Sequence, residues 1–350
     1  MVSRPLGPSR SRLKAREKMD WFERITGFKE LDYDSTRSRL AIMNGRLMSS
    51  HCAATWAVGR LETPTLSDLR ARAAGLTSGH GPNQVQCLSA DVRELHRRPE
   101  NAEALFQVAS QFNLLEMVGP NVTPEHGITR YESDHTQGPA CAIAAGAATI
   151  FRNYFAPVGD CVGQRRDAQI DCLKEIGRTL DNKGDRLWRM ENGYAMCSAE
   201  GLAEIDQQLH AMDQFQLDVL RGQLMIGLQW QADITDMGAN GHQVSQAFCS
   251  ALPVAYSSVP RQRWSRFAKL VLEGAYEATL LSAILNRQHH GNTTVFLTQL
   301  GGGAFGNDTA WIHDAIRRAV ASLKDAGLNI QLVTYGRIST ELDELALALR

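Results

Sequence analysis

The chain has 350 residues, 37 of them basic and 38 acidic, for a formal charge of -1. That length can bury a substantial core without disulfide staples, and the balanced charge excludes recruitment to DNA, RNA or anionic lipid by a global field. With 43% hydrophobic and 21% charged residues, disorder over most of the chain is excluded as well.

The N-terminal segment carries Arg4, Arg10, Arg12, Lys14, Arg16 and Lys18 but no apolar run, so residues 1–19 are read as a basic flexible tail and not as a secretory signal. Residues 20–26 predict a short helix. Around Asn44-Gly45 two apolar runs predict a hairpin, because that dipeptide supplies the positive φ angles of a type I′ turn. Residues 65–73 read as a helix and 77–82 as a plain loop. The chain from 20 to 82 is therefore taken as an N-terminal hairpin extension of one domain spanning 20–350.

From Gln84 the pattern is strand (84–88), near-continuous apolar strand (104–110) and a small-residue helix (139–154) with Pro139 in its first turn. Residues 157–243 read as an insertion. It predicts a helix over 166–180, a second Asn-Gly hairpin at Asn192-Gly193, a long helix over 199–221 and a strand with one buried face over 224–234. The final third predicts a strand (244–254), a long helix (264–285), a strand (293–300), a glycine-rich turn (301–307), a helix (309–323) and a strand (328–335). Its βαβ unit implies a parallel pair and an α/β layered domain.

The seven cysteines, Cys52, Cys87, Cys141, Cys161, Cys172, Cys197 and Cys249, lack C-x-x-C spacing and read as reduced thiols of a cytoplasmic protein. No stretch approaches ~20 uninterrupted apolar residues, so no membrane span is expected. The sequons at Asn121, Asn292 and Asn307 are coincidences in that setting.

Two segments could carry chemistry. Gly301-Gly302-Gly303-Ala304-Phe305-Gly306-Asn307 lies between a buried strand and a helix. Its glycines remove Cβ atoms and expose backbone N–H groups toward an anion such as a diphosphate. It lacks the Lys-Ser/Thr of a Walker loop, and it also reads as a tight strand-to-helix turn. The second segment, residues 113–138, gathers Glu116, Glu125, Glu132 and Asp134 in a loop too long for a mere connection, where α/β sheets place ligand sites. Its bland reading is a solvated acidic loop. Cys141 in the first turn of a helix could be a nucleophile or ordinary core, and Glu125, His126, Asp134 and His135 match no standard metal spacing.

Four stretches in order resemble the macrodomain, an ADP-ribose-binding module. Ser89-Ala-Asp91-Val92 resembles that family's G-D-I/V turn. Phe106-Gln-Val-Ala-Ser-Gln-Phe-Asn113-Leu-Leu resembles its V-N-A-A-N-x-x-L strand and turn. Gly138-Pro-Ala-Cys-Ala-Ile-Ala-Ala-Gly146 resembles its D-G-A-I-H-x-A-A-G helix start, and residues 293–307 its strand and S-T-G-x-F-G loop. Together they cover residues 84–156 and 242–336. The resemblance implies a three-layer α/β/α mixed sheet with an N-terminal extension and a long insertion. It also implies ADP-ribose contacts from Asp91, Val92, Asn113, Thr136, Gln137, Gly138, Gly301, Gly302, Gly303, Ala304, Phe305, Gly306, Asn307 and Tyr335.

Where hydrolytic members carry an Asp before the helix, this chain has Gly138, and a long acidic loop replaces the short glycine loop. Residues 106–142 are similar to a divergent macrodomain group that removes ADP-ribose from arginine, a resemblance spanning nearly the whole chain. An ADP-ribosylated guanidinium needs carboxylates on its faces for the N-glycosidic bond to break, by the two-carboxylate logic of glycoside hydrolysis. Glu116, Glu125 and Asp134 are the candidates. The expected activity is a hydrolase acting on ADP-ribosylated arginine of proteins, with no cofactor, metal, nucleic acid or membrane; the alternatives are a non-catalytic ADP-ribose reader and a hydrolase using Cys141.

Overall fold

Seven strands pair into one sheet. In chain order they are β1 (Arg60–Glu62), β2 (Gln84–Ser89), β3 (Leu105–Ala109), β4 (Gly227–Asp233), β5 (Gln243–Cys249), β6 (Thr294–Leu297) and β7 (Asn329–Thr334). Their spatial order is β1-β4-β5-β3-β6-β7-β2. The five strands β5, β3, β6, β7 and β2 are mutually parallel, while β4 runs antiparallel to β5 and β1. The computed structural model describes residues 19–350, apart from the side chains of residues 239 and 240. The basic tail read over 1–19 lies outside the described residues except for Met19.

The main helices are α1 (Val92–Arg97), α2 (Gln137–Ala144), α3 (Gly146–Tyr154), α4 (Ser265–His290), α5 (Thr309–Ser322) and α6 (Thr340–Ala348). Side chains alternate along the strands and so fix the layers. On one face Gln107 donates to Thr279 Oγ1 at 3.0 Å and Ser245 to Asn286 Oδ1 at 2.9 Å, both on α4. On the other, Phe106 stacks on His96 of α1 at 3.8 Å, and Gln246 donates to the Cys141 carbonyl of α2 at 3.0 Å. The sheet is thus the middle of three layers, the mixed α/β architecture expected from the sequence. Helix α4 carries Phe267, Leu270, Val271 and Leu281 into that core, each side chain worth roughly 1.5–3 kcal/mol when fully buried.

The Asn-Gly turns form as their backbone preferences require, with φ of 50° and 72° at Asn44 and Gly45, and 47° and 84° at Asn192 and Gly193. Three expectations for the insertion are corrected. The helix read over 166–180 is only Lys174–Thr179. The preceding residues give their hydrogen bonds to other segments: Gln164 Nε2 donates to the Asn113 and Arg152 carbonyls, and the Cys172 amide to Phe112. The long helix breaks into Ala199–Ala211 and Gln214–Gly222, because Asp213 caps the second through a reciprocal capping box with Gln216. Finally, β4 is buried on both faces, since its neighbours Gln229 and Trp230 are 0% and 6% exposed.

Extension and insertion are woven into the fold. The extension supplies edge strand β1 and a second apolar cluster in which Trp21, Phe22, Ile25 and Phe28 pack with Ile143, Ala147 and Ile150. From the insertion, Asp236 accepts from Arg93 at 2.5 and 2.8 Å and from Arg97 at 2.9 Å, tying down α1. Replacing Asp236 by Ala should cost roughly 3 kcal/mol, because two partly buried guanidinium groups lose their anion. A urea midpoint unchanged from the parent protein would contradict that dependence.

Candidate functional site

A cleft lies outside the carboxyl ends of the parallel strands, where open α/β sheets place their ligands. At its outer end is a cavity of about 510 Å³ and at its inner end a smaller cavity of about 280 Å³. Asp134, Thr136, Gln137, Thr298, Gln299 and Gly303 border both, so the two are continuous.

The opening follows from how two strands diverge. β3 and β6 pair only at Leu105 with Val295 and Phe106 with Phe296, then separate. Gln137, at the start of α2, takes up the exposed edge of β3. Its Oε1 accepts from the Ala109 amide and its Nε2 donates to the Gln107 carbonyl, both at 2.8 Å. Gly138 follows, and a Cβ there would run into the Ala109 carbonyl oxygen. The helix can approach the strand only because that position is glycine.

Asp91, Val92 and Tyr335 line the outer end. Asp91 is exposed and caps α1, its Oδ1 accepting from the Arg93 amide at 2.7 Å, and Tyr335 is 86% exposed on the rim. The glycine loop runs along one side. Hydrogen bonds fold it on itself from Gly302 to Gln299, Gly306 to Gly303 and Asn307 to Gly301. Among the described residues the amides of Gly303, Ala304 and Phe305 donate to no acceptor, which leaves three successive N–H groups beside the cleft. Such a run fits an anion. Gly301, Gly302, Gly303, Ala304 and Phe305 border the cleft, whereas Gly306 and Asn307 do not; Asn307 is buried and donates to the Leu252 carbonyl at 2.8 Å.

The inner end holds Glu116 and an aromatic wall of Tyr194, Tyr256 and Phe305, whose ring centroids lie 5.2 to 5.6 Å from one another. Glu116 borders the cavity, yet its carboxyl oxygens are shut off from solvent and have no hydrogen-bond partner. Burial pushes its pKa up to about 8, against the downward pull of Arg152 and the Tyr131 hydroxyl. Thr136 borders both cavities, as does Asp134, whose Oδ1 accepts from the Thr136 amide at 2.9 Å and hydroxyl at 2.7 Å.

Two other expected site residues stand elsewhere. Asn113 is fully buried and borders neither cavity; it donates to Gln169 Oε1 at 2.8 Å and accepts from the Leu115 amide at 3.1 Å. Glu125 lies in a separate surface hollow with His126, Arg166 and Asp167, accepting from the Arg166 amide at 2.8 Å. Burial would raise its pKa, but the Arg166 amide and Thr123 hold it lower. The four groups weighed as a metal site are split, because Asp134 and His135 face the cleft and Glu125 and His126 the hollow. Cys141 is fully buried, and burial pushes its thiol well above the usual range, which opposes a thiolate nucleophile.

Sequence reading missed Arg152 and Tyr194. Arg152 was visible as a lone charge inside the apolar stripe of α3. Tyr194 follows the Asn-Gly turn of the insertion, which had no chemical motif; that hairpin meets the 111–120 segment through a bond from the Phe112 amide to the Gly193 carbonyl.

No protein-family model and no curated protein matches the chain. Among solved structures, it is similar to the poly(ADP-ribose) glycohydrolase of Deinococcus radiodurans in complex with ADP-ribose. The identity is 12% over 81% of this chain and 90% of that one, with a TM-score of 0.43. It is also similar to the poly(ADP-ribose) glycohydrolase of Thermomonospora curvata, at 13% identity over 89% of this chain and 93% of that one, with a TM-score of 0.42. The form of that enzyme bound to the inhibitor ADP-HPD gives 14%, 89%, 93% and 0.41.

The raised pKa of Glu116 has a signed consequence. Between about 4.5, its ordinary value, and about 8, the folded state holds a proton that the unfolded chain has lost, so stability falls as pH rises through that window. The slope is at most about 1.4 kcal/mol per pH unit. Glu116→Gln should remove the loss, raising Tm relative to the parent protein at pH 8 and little at pH 4.5; an equal shift at both pH values would contradict a buried neutral carboxyl.

Proposed function

We propose that this protein is a hydrolase that releases ADP-ribose from ADP-ribosylated arginine side chains. One observation carries the reading: a buried carboxyl without a hydrogen-bond partner, Glu116, whose pKa burial pushes up to about 8, stands in the wall of a cleft that a second carboxylate, Asp134, also borders. The adenosine half would lie between Asp91 and Tyr335, the diphosphate on the amides of 303–305, and the distal ribose toward Gln137 and Glu116. The aromatic wall suits a guanidinium, which binds ring faces.

The bond between the anomeric carbon and the guanidino nitrogen breaks with its electron pair going to nitrogen, so the substrate guanidinium becomes a neutral guanidine. Glu116 gives that guanidine its proton. A water adds its oxygen to the anomeric carbon and loses a proton to Asp134, which returns it to Glu116. The scheme balances atoms and charge and routes no step through a metal.

The binding-only reading has an observation of its own, the closure of both Glu116 oxygens from solvent. Release of free ADP-ribose from an arginine-modified protein, together with calorimetry on ADP-ribose, separates the two. Glu116→Gln and Asp134→Asn should each lower turnover at least ~100-fold, within the usual range for acid–base groups, while ADP-ribose affinity stays within a few-fold. Binding without release by the parent protein leaves a reader; neither binding nor release discards both.

A further inference from the structure

One buried cation is unused by that scheme. Arg152 of α3 is 0% exposed, and three contacts fix its guanidinium. Its Nε donates to the Leu114 carbonyl and its Nη2 to Thr149 Oγ1, each at 3.0 Å, and its central carbon lies 3.8 Å from the Phe248 ring centroid. Nη1 has no partner. Glu116 Oε1 stands 3.6 Å from Nη2, too far for a hydrogen bond. The two groups therefore face each other, both buried and within ion-pair distance, with no hydrogen bond between them.

That gap is informative because each side is costly. A buried guanidinium stays charged, and a carboxylate within reach would ordinarily close on it. Hydrogen bonds hold only one side: Arg152 is pinned by a carbonyl, a hydroxyl and a ring, whereas both oxygens of Glu116 are unbonded. Titratable groups facing Glu116 are Arg152 from α3, Tyr131 from the 129–133 turn and Cys141 from α2. The Tyr131 hydroxyl already accepts from the Glu116 amide at 2.9 Å, and Cys141 is a neutral thiol. Arg152 is the one cation in this set.

We propose that Arg152 is a positioning residue that pairs with the Glu116 carboxylate as it forms. The inference rests on the reading of Glu116 as proton donor. When the O–H bond of Glu116 breaks and an N–H bond forms on the leaving guanidine, the electron pair stays on the carboxylate, which closes the 3.6 Å gap onto Nη2 and the free Nη1. When Asp134 returns the proton, the pair reopens. Arg152 touches no reacting atom and acts only through Glu116.

The test reads both side chains without substrate. In the intact protein, the Glu116 carboxyl is followed by carbon NMR against pH, and the Arg152 side-chain nitrogens by nitrogen NMR in the same titration. The Arg152 resonances are expected to move with the Glu116 midpoint, and Arg152→Met to raise that midpoint by at least one pH unit. Arginine resonances indifferent to the Glu116 titration overturn the proposal, as does an unchanged midpoint in folded Arg152→Met. If that variant does not fold, the two-resonance experiment on the parent protein still decides. On an arginine-modified substrate, Arg152→Met should lower kcat at least tenfold at unchanged KM, with partial recovery in Arg152→Lys. Absence of turnover in the parent protein would remove the reaction while the titration continued to judge the pair.

Discussion

The cleft exists because two parallel strands stop pairing and the edge they expose is not left bare. A buried backbone N–H or C=O without a partner costs about 1–3 kcal/mol, so a strand that splays from its neighbour inside a core must find substitutes. β3 leaves β6 after Phe106, and one side chain, Gln137, supplies both a donor and an acceptor to the freed edge. The same contact fixes where α2 begins. Gly138 then meets the strand backbone, and the carbon chain of Glu116 packs under that glycine. The width of the cleft, the start of the helix and the burial of the carboxyl are a single arrangement.

Around that centre, the segments outside residues 84–156 and 242–336 act as supports. Glu30 of the extension accepts from the Ile128 and Thr129 amides at 2.7 to 2.9 Å and from the Tyr154 hydroxyl at 2.6 Å, so it ties the acidic loop to α3. The insertion hairpin does the same on the other side: Asn192 donates to the Pro120 carbonyl, and the Tyr194 hydroxyl to the Met117 carbonyl at 2.7 Å. A loop as long as residues 113–138 would be expensive to order by itself. Here its backbone is held from both flanks by side chains distant in sequence.

That division explains what could be read from the chain. The strands of the last third, both Asn-Gly turns and the glycine loop were legible because each depends on local preference or on period-two and helical patterning. Gln137 and Asp134 were legible as polar residues in an acidic loop, though not what they bond to. Glu125 and Glu116 read alike as carboxylates of one loop. What separates them is the company each finds in space: an amide from Arg166 for the former, an apolar shell and Arg152 for the latter. The helix read over 166–180 failed for the same reason, since the Cys172 amide donates to the Phe112 carbonyl and Gln169 accepts from Asn113.

The near-zero net charge takes on a local meaning in this setting. The cleft offers an anion neutral backbone amides, with Arg93 on its wall already committed to Asp236. At its inner end, burial keeps Glu116 protonated near neutral pH, while Arg152, behind it, keeps a charge that no carboxylate yet balances. An ion pair between them would strengthen as the dielectric falls, so loss of the Glu116 proton would be eased by Arg152 beside it. A carboxyl alone in an apolar pocket would resist giving up its proton. With a fixed guanidinium 3.6 Å away, the penalty on that anion is smaller.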